Sequence, residues 1–399
     1  MSDTKPNFMF EPKVLRWARE GRFGPTRRAL EAKLGDSNFA IDIHTIEQWE
    51  DGIATPTFAD VKKLAQLYKR PLAVFFLDSP PDTKTTPPDH RTIGSEDNKD
   101  ISPEGLLVMR KARRTQEIAA MLQEASGEPS HFKFSKHSIT EDPDSLALKV
   151  REDLGLSIRK QFKFRKYEEF FEYLREKIED AGVITLKSGM HDSFPVEDCR
   201  AFSFADSLPY LILINNKDYE GSKNFSLAHE LAHILVREAG VCNNFRTFDI
   251  MGKKIDELEV FCNRFAAALL VPENEFRAHP LLRERANVSS DHLDDEIQKI
   301  ALDFKISRVV ILRRLLAFGL ITQVFYNEKV NFWKEDPPPR RGKSGRFSLS
   351  TLVKKNGRSF SSLVFESYRN KKISFTSAAE YLGIKRKHMS GFERLLRLS

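Results

Sequence analysis

Residues 225–236, FSLAHELAHILV, place two histidines four positions apart with a glutamate directly after the first. No other stretch restricts the fold as much. On an α-helix positions i and i+4 share a face, so His229 and His233 can present imidazole nitrogen to one point from the same side. Glu230 lies about 100° further round the helix, beside that point instead of on it. Phe225, Leu227, Leu231, Ile234 and Leu235 frame the motif, so the helix faces a core, and two imidazoles buried there need polar partners. H-E-x-x-H on a helix is the pattern in which two histidines bind zinc and the glutamate acts as general base. Such a site takes three protein ligands and leaves a fourth position for water, so the expected cofactor is Zn²⁺.

The third ligand has to come from elsewhere in the chain. The next histidine, His279, lies beyond a further helical pattern and a proline. Acidic candidates after the motif are Glu238, Asp249, Asp256, Glu257 and Glu259. Glu259 opens a helical run whose Phe261, Phe265, Ala268 and Leu269 can pack on the motif helix, and two packed helices can bring His, His and Glu to one point. Glu257 competes on spacing alone. Tyr219, Tyr210 and Arg200 are candidate donors to an oxyanion, and His191 and His279 are candidate neighbours of the site.

The segments around this motif differ in period and charge. VLRWARE, GPTRRALEAKLG, HTIEQWEDG and TFADVKKLAQLYKRP read as short amphipathic helices within residues 1–78. Residues 79–101 are a linker by composition, rich in Pro, Asp and Thr. Helical patterns return over 102–124 and 140–182, then GVITLKSG, CRAFSFAD and YLILINN read as strands. Helices close this unit near 333, and KEDPPPRRGKSGR holds a second linker at 334–346. The net charge of +7 is uneven: residues 334–399 carry sixteen Lys/Arg against five Asp/Glu, or +11, which leaves −4 for the rest. The closing SFTSAAEYLGIKRKHMSGFERLL reads as two short helices around Gly383, within a basic helical unit at 347–399.

Bulk composition excludes several classes. A chain of 399 residues with 40% hydrophobic and 11% aromatic content builds real cores. No apolar run approaches 18 residues, and the N-terminus lacks a signal-peptide core. Three scattered cysteines form no paired metal motif. The expectation is a soluble, cytoplasmic protein with no membrane partner.

FSLAHELAHILV followed by LEVFCNRFAAALLVP resembles the ImmA/IrrE family of metallo-endopeptidases. In that family an E-x-x-x-N-x-F-A-x-x-x-L-x-P helix follows the motif. The resemblance therefore implies Glu259 as third ligand, with Asn263, Phe265, Ala266, Leu270 and Pro272 matching the rest. It implies a zincin-like domain over 102–333, a small sheet against helices, that cuts a protein substrate such as a repressor or antitoxin. Such activity would serve stress response, mobile-element control or phage defence. IEQWEDGIATPTFADVKKLAQLYKRPLAVFFL is similar to an Xre-type helix-turn-helix, which implies an all-α DNA-binding bundle at the N-terminus. The expected fold class is thus multidomain α+β.

Charge complicates the last point. Residues 1–78 hold twelve Lys/Arg and eleven Asp/Glu, and the recognition segment DIHTIEQWE has three acids and no Lys or Arg. His44, Thr45 and Gln48 can read bases, with Arg27 and Arg28 on phosphates. Protein contacts are the competing use of this bundle. In the tail, Lys385, Arg386 and Lys387 are candidate nucleic-acid contacts, against docking to an acidic partner. The competing function for the whole chain is a DNA-binding regulator whose zinc domain is structural or ligand-sensing.

Overall fold

The computed structural model describes residues 10–35, 39, 41–81, 101–127, 130–189, 194–196, 198–238, 241–242, 257–283, 293–335 and 349–398. Most of both expected linkers, residues 82–100 and 336–348, lies outside them. The architecture is α+β, mostly helical with one small mixed sheet. Among the described residues no helix is long and apolar enough to cross a membrane.

The N-terminal bundle comprises α1 (Pro12–Phe23), α2 (Arg28–Gly35), α3 (Ile43–Glu50), α4 (Phe58–Leu67) and a 3-10 turn at Leu72–Phe76. Local chemistry sets the helix starts. Asp42 caps α3 by accepting the Thr45 N–H at 2.8 Å, and Thr57 with Asp60 forms a capping box at α4. Leu15, Ala18, Phe23, Ile46, Trp49, Leu64 and Phe75 pack together inside. Beneath them Arg19 Nε donates to Glu50 Oε1 at 2.8 Å, and Arg19 Nη1 holds the carbonyl of Gly24 at 3.0 Å. A charge pair this deep persists only because its hydrogen-bonding capacity is largely filled.

The long helix α5 (Pro103–Ser126) carries Arg110, which donates to the Lys69 carbonyl at 2.8 Å and so ties the bundle to the rest. After it come α6 (Pro143–Asp153), α7 (Ile158–Lys163) and α8 (Tyr167–Asp180), then the sheet. Its strands are β1 (Ile184–Lys187), β2 (Ala201–Phe204), β3 (Leu211–Ile214) and β4 (Val241–Cys242), in the order β1-β3-β2-β4. β1 runs parallel to β3, and the other pairs are antiparallel. Every residue of β1, β2 and β3 is buried. β3, LILI, is apolar throughout, as a strand covered on both faces can be.

On the first face lie α9 (Glu220–Val236), α10 (Glu257–Leu270) and α8. The domain is completed by α11 (Glu273–Arg277), α12 (Pro280–Arg283), α13 (Leu293–Phe304), α14 (Arg308–Ala317) and α15 (Gln323–Glu335). Over the second face lie α5 and the C-terminal helices α16 (Leu349–Asn356), α17 (Arg358–Arg369), α18 (Phe375–Leu382) and α19 (Met389–Leu398). Phe360, Val364 and Phe392 share one apolar core with Met109, Leu186, Phe202 and Leu213. The basic tail is therefore a structural part of the sheet's covering, and α16 packs along β1, an edge strand.

One polar joint fixes this docking. Glu179 Oε2 accepts the backbone N–H groups of Arg358 and Ser359 at 3.0 and 2.9 Å, a carboxylate on a helix N-terminus. Its other oxygen pairs with Arg175 Nε at 3.0 Å. Gly357 sits against this group with φ 79°, and a Cβ there would stand 2.6 Å from the Thr185 carbonyl oxygen.

Candidate metal centre

α9 is buried from Gly221 to Val236, because it lies between the sheet, α8 and α10. A helix in that position needs no polar stripe, so the histidines and the glutamate of the motif stand out chemically. The helix ends at Arg237, in the left-handed region (φ 60°). Its guanidinium donates to the carbonyls of Ile234 at 2.6 Å and Phe134 at 2.8 Å, satisfying backbone groups that a helix end leaves open. The turn carrying His233 is held by that cap.

α10 packs alongside and brings Glu259 to the motif. The Nε2 atoms of His229 and His233 are 3.1 Å apart. Glu259 places Oε2 at 3.4 Å from His229 Nε2 and Oε1 at 3.3 Å from His233 Nε2. A tetrahedral ion bound at about 2.0–2.1 Å holds its donors about 3.3 Å apart. Three donors of the right chemistry therefore stand at the spacing that one ion requires, and these residues fit a metal. Both imidazole Nδ1 atoms are buried, with no hydrogen-bond partner among the described residues.

Glu230 is fully buried beside this group. Its Oε2 accepts the Ser203 Oγ–H at 2.7 Å, and Oε1 has no partner among the described residues. Burial pushes its carboxyl up to about 7, with the Glu259 charge adding to that and the Ser203 bond and His233 opposing it. For Glu259 burial acts upward, yet the charges and hydrogen bonds of the two histidines hold it well below the usual carboxylate range. Two carboxylates one helix apart are thus driven in opposite directions. The Glu259 carboxyl is kept charged beside the histidines, and the Glu230 carboxyl is raised towards neutrality.

Ser203 was not legible as part of the site. It stands in CRAFSFAD, read as a strand, and only the antiparallel pairing of β2 with β3 directs it to α9. Of the other acidic candidates, Glu257 and Glu238 are exposed, and Asp249 and Asp256, like His191, lie outside the described residues. His279 pairs with Asp303 at 3.1 Å, between α11 and α13.

The oxyanion candidates have partners of their own. Arg200 is bonded to Asp218, whose carboxylate also accepts the Tyr219 N–H at 2.8 Å. Tyr219 is the N-cap of α9, ten residues before His229, or about 15 Å along the helix axis. Tyr210 lies toward the other end, with its ring 5.3 Å from that of Phe132 and 4.8 Å from the Arg237 guanidinium.

The N-terminal contacts also rearrange. Arg27, expected on phosphate, pairs with Glu47 at 3.2 Å and Glu50 at 3.3 Å. Two of the three acids in DIHTIEQWE are thus turned onto arginines. Arg28 and His44 are exposed, while Thr45 is engaged with Asp42 and Gln48 with His44 at 3.3 Å. Lys385, Arg386 and Lys387 are all exposed.

Two histidines one turn apart, a carboxylate from the next helix and a buried glutamate between them and the sheet define a metallopeptidase-type centre. Residues 188–316, from the end of β1 into α14, match the family model of the IrrE N-terminal-like domain, Peptidase_M78. That stretch contains all of the residues of the group. No curated protein and no solved structure matches the chain.

Proposed function

We propose that the chain is a zinc-dependent endopeptidase, with His229, His233 and Glu259 as the ligands and Glu230 as the general base. The convergence of the three donors at tetrahedral spacing carries this reading. When bound, zinc supplies Lewis acidity and lowers the pKa of a water from about 15.7 to near 7. Glu230 takes a proton on Oε1 and passes it to the departing amine, while Ser203 holds Oε2. A purely structural ion would have no use for a buried carboxylate kept uncharged so easily. The substrate in this reading is a protein regulator, a repressor or antitoxin-like chain, cut under stress, in mobile-element control or in phage defence.

The test compares new protein N-termini in a host-cell extract after incubation with wild type and with Glu230→Gln. Termini that appear with wild type alone and vanish with a zinc chelator support the reading. An identical set from both proteins overturns it.

A further inference from the structure

We infer that the C-terminal helices, and not the N-terminal bundle, form the chain's nucleic-acid contact, with Lys385, Arg386 and Lys387 on the phosphates and base edges of duplex DNA. Three observations lead there. The first is the build of the unit. α17, α18 and α19 pack on one another around Val364, Ala378, Leu382 and Phe392, within the apolar core they share with the sheet, and the rings of Phe365 and Phe392 are stacked at 6.0 Å. α18 ends at Gly383 in the left-handed region (φ 65°), where the Ile384 N–H returns to the Ala379 carbonyl at 2.9 Å. Gly383, the buried Ile384 and Lys385 make a three-residue turn into the next helical segment, Arg386–His388 followed by α19. That is the connection of a helix-turn-helix, whose second helix enters the major groove with its N-terminal residues leading.

The second observation is charge. Residues 349–398 hold eleven Lys/Arg against three Asp/Glu, a net +8. Lys385 at the end of the turn and Arg386 and Lys387 at the start of the second helical segment are cationic and exposed, and Lys371 and Lys372 are exposed in the turn before α18. None of these five has an ion-pair partner among the described residues.

The third is the contrast with the N-terminal bundle. There Arg19 and Arg27 are consumed by Glu50 and Glu47, and the exposed face of α3 carries no Lys or Arg at all. Non-specific affinity for DNA comes from cations that replace counterions on phosphates. The C-terminal unit offers them, exposed, where the chain turns into its last helical segment, whereas α3 offers none. Because this unit packs on the second face of the sheet, DNA held there leaves the face carrying Glu230 uncovered.

The test uses the full chain and fluorescence anisotropy with a labelled mixed-sequence duplex, at salt between roughly 50 and 200 mM. Three phosphate contacts imply a fall in affinity of about 40-fold over that range. The variant Lys385→Glu/Arg386→Glu/Lys387→Glu should abolish binding, Arg386→Ala should weaken it and flatten the salt slope by about one, and Arg28→Glu should leave both unchanged. An unchanged melting temperature checks that the exposed variants fold. No duplex binding by wild type, loss of binding with Arg28→Glu alone, or equal competition by polyglutamate, the mark of an acidic protein partner, would each overturn the inference.

Discussion

The two faces of the central sheet are built from alternate residues of the same three strands and are chemically opposed. Ile184, Leu186, Phe202, Phe204, Leu211 and Leu213 point to α5 and the C-terminal helices, and every one is apolar. The other face carries Thr185, Lys187 and Ser203 among Ala201, Ile212 and Ile214, and each polar residue has a named partner. Thr185 joins Arg175 and Glu179, Lys187 pairs with Glu172 at 2.7 Å, and Ser203 holds Glu230. One face provides adhesion, and the other spends burial on groups that must be held in place. Substitutions on the two faces should therefore separate stability from catalysis.

The largest expected effect is on catalysis. Glu230→Gln keeps the shape and the Ser203 contact but cannot take a proton, so cleavage should fall by about 10²–10⁴-fold in a peptide-cleavage assay. Zinc content and melting temperature should hold or rise, because a buried carboxylate has been removed. On the same polar face, Glu179→Ala strips Arg175 of its partner and α17 of its N-terminal anion. Removing one member of a buried pair costs about 3–5 kcal/mol, to be read from urea unfolding.

On the apolar face, Phe202→Ala should cost about 3–5 kcal/mol and leave metal content per folded chain unchanged. Zinc loss in the folded variant would show that the two faces are not separable. The smallest effect belongs to Ser203→Ala, which should lower turnover about 10-fold with no change in zinc. Partial recovery by Ser203→Thr, which restores the hydroxyl, would locate the effect in the hydrogen bond.

The contrast also explains what was readable in the sequence. The motif helix, the strands and the helix of Glu259 follow from local patterns, because period and apolar spacing are properties of neighbours in the chain. The docking of the C-terminal helices could not be read this way. Phe360, Val364 and Phe365 mark an amphipathic face, but nothing in their spacing says that Phe202 and Met109 complete it. The same limit applies to Glu50, whose burial is explained only by Arg19, 31 residues earlier in the chain, which donates to it at 2.8 Å. The contact of Ser203 with Glu230 and the partners of Tyr210 and Arg200 depend likewise on strand pairing, which composition does not encode.

The central claim is that His229, His233 and Glu259 hold one zinc ion. Elemental analysis of wild type and Glu259→Ala, purified without added metal, tests it directly. Near-stoichiometric zinc in wild type and a sharp loss in the variant are predicted. Wild type that is metal-free and takes up none from added zinc would contradict the account.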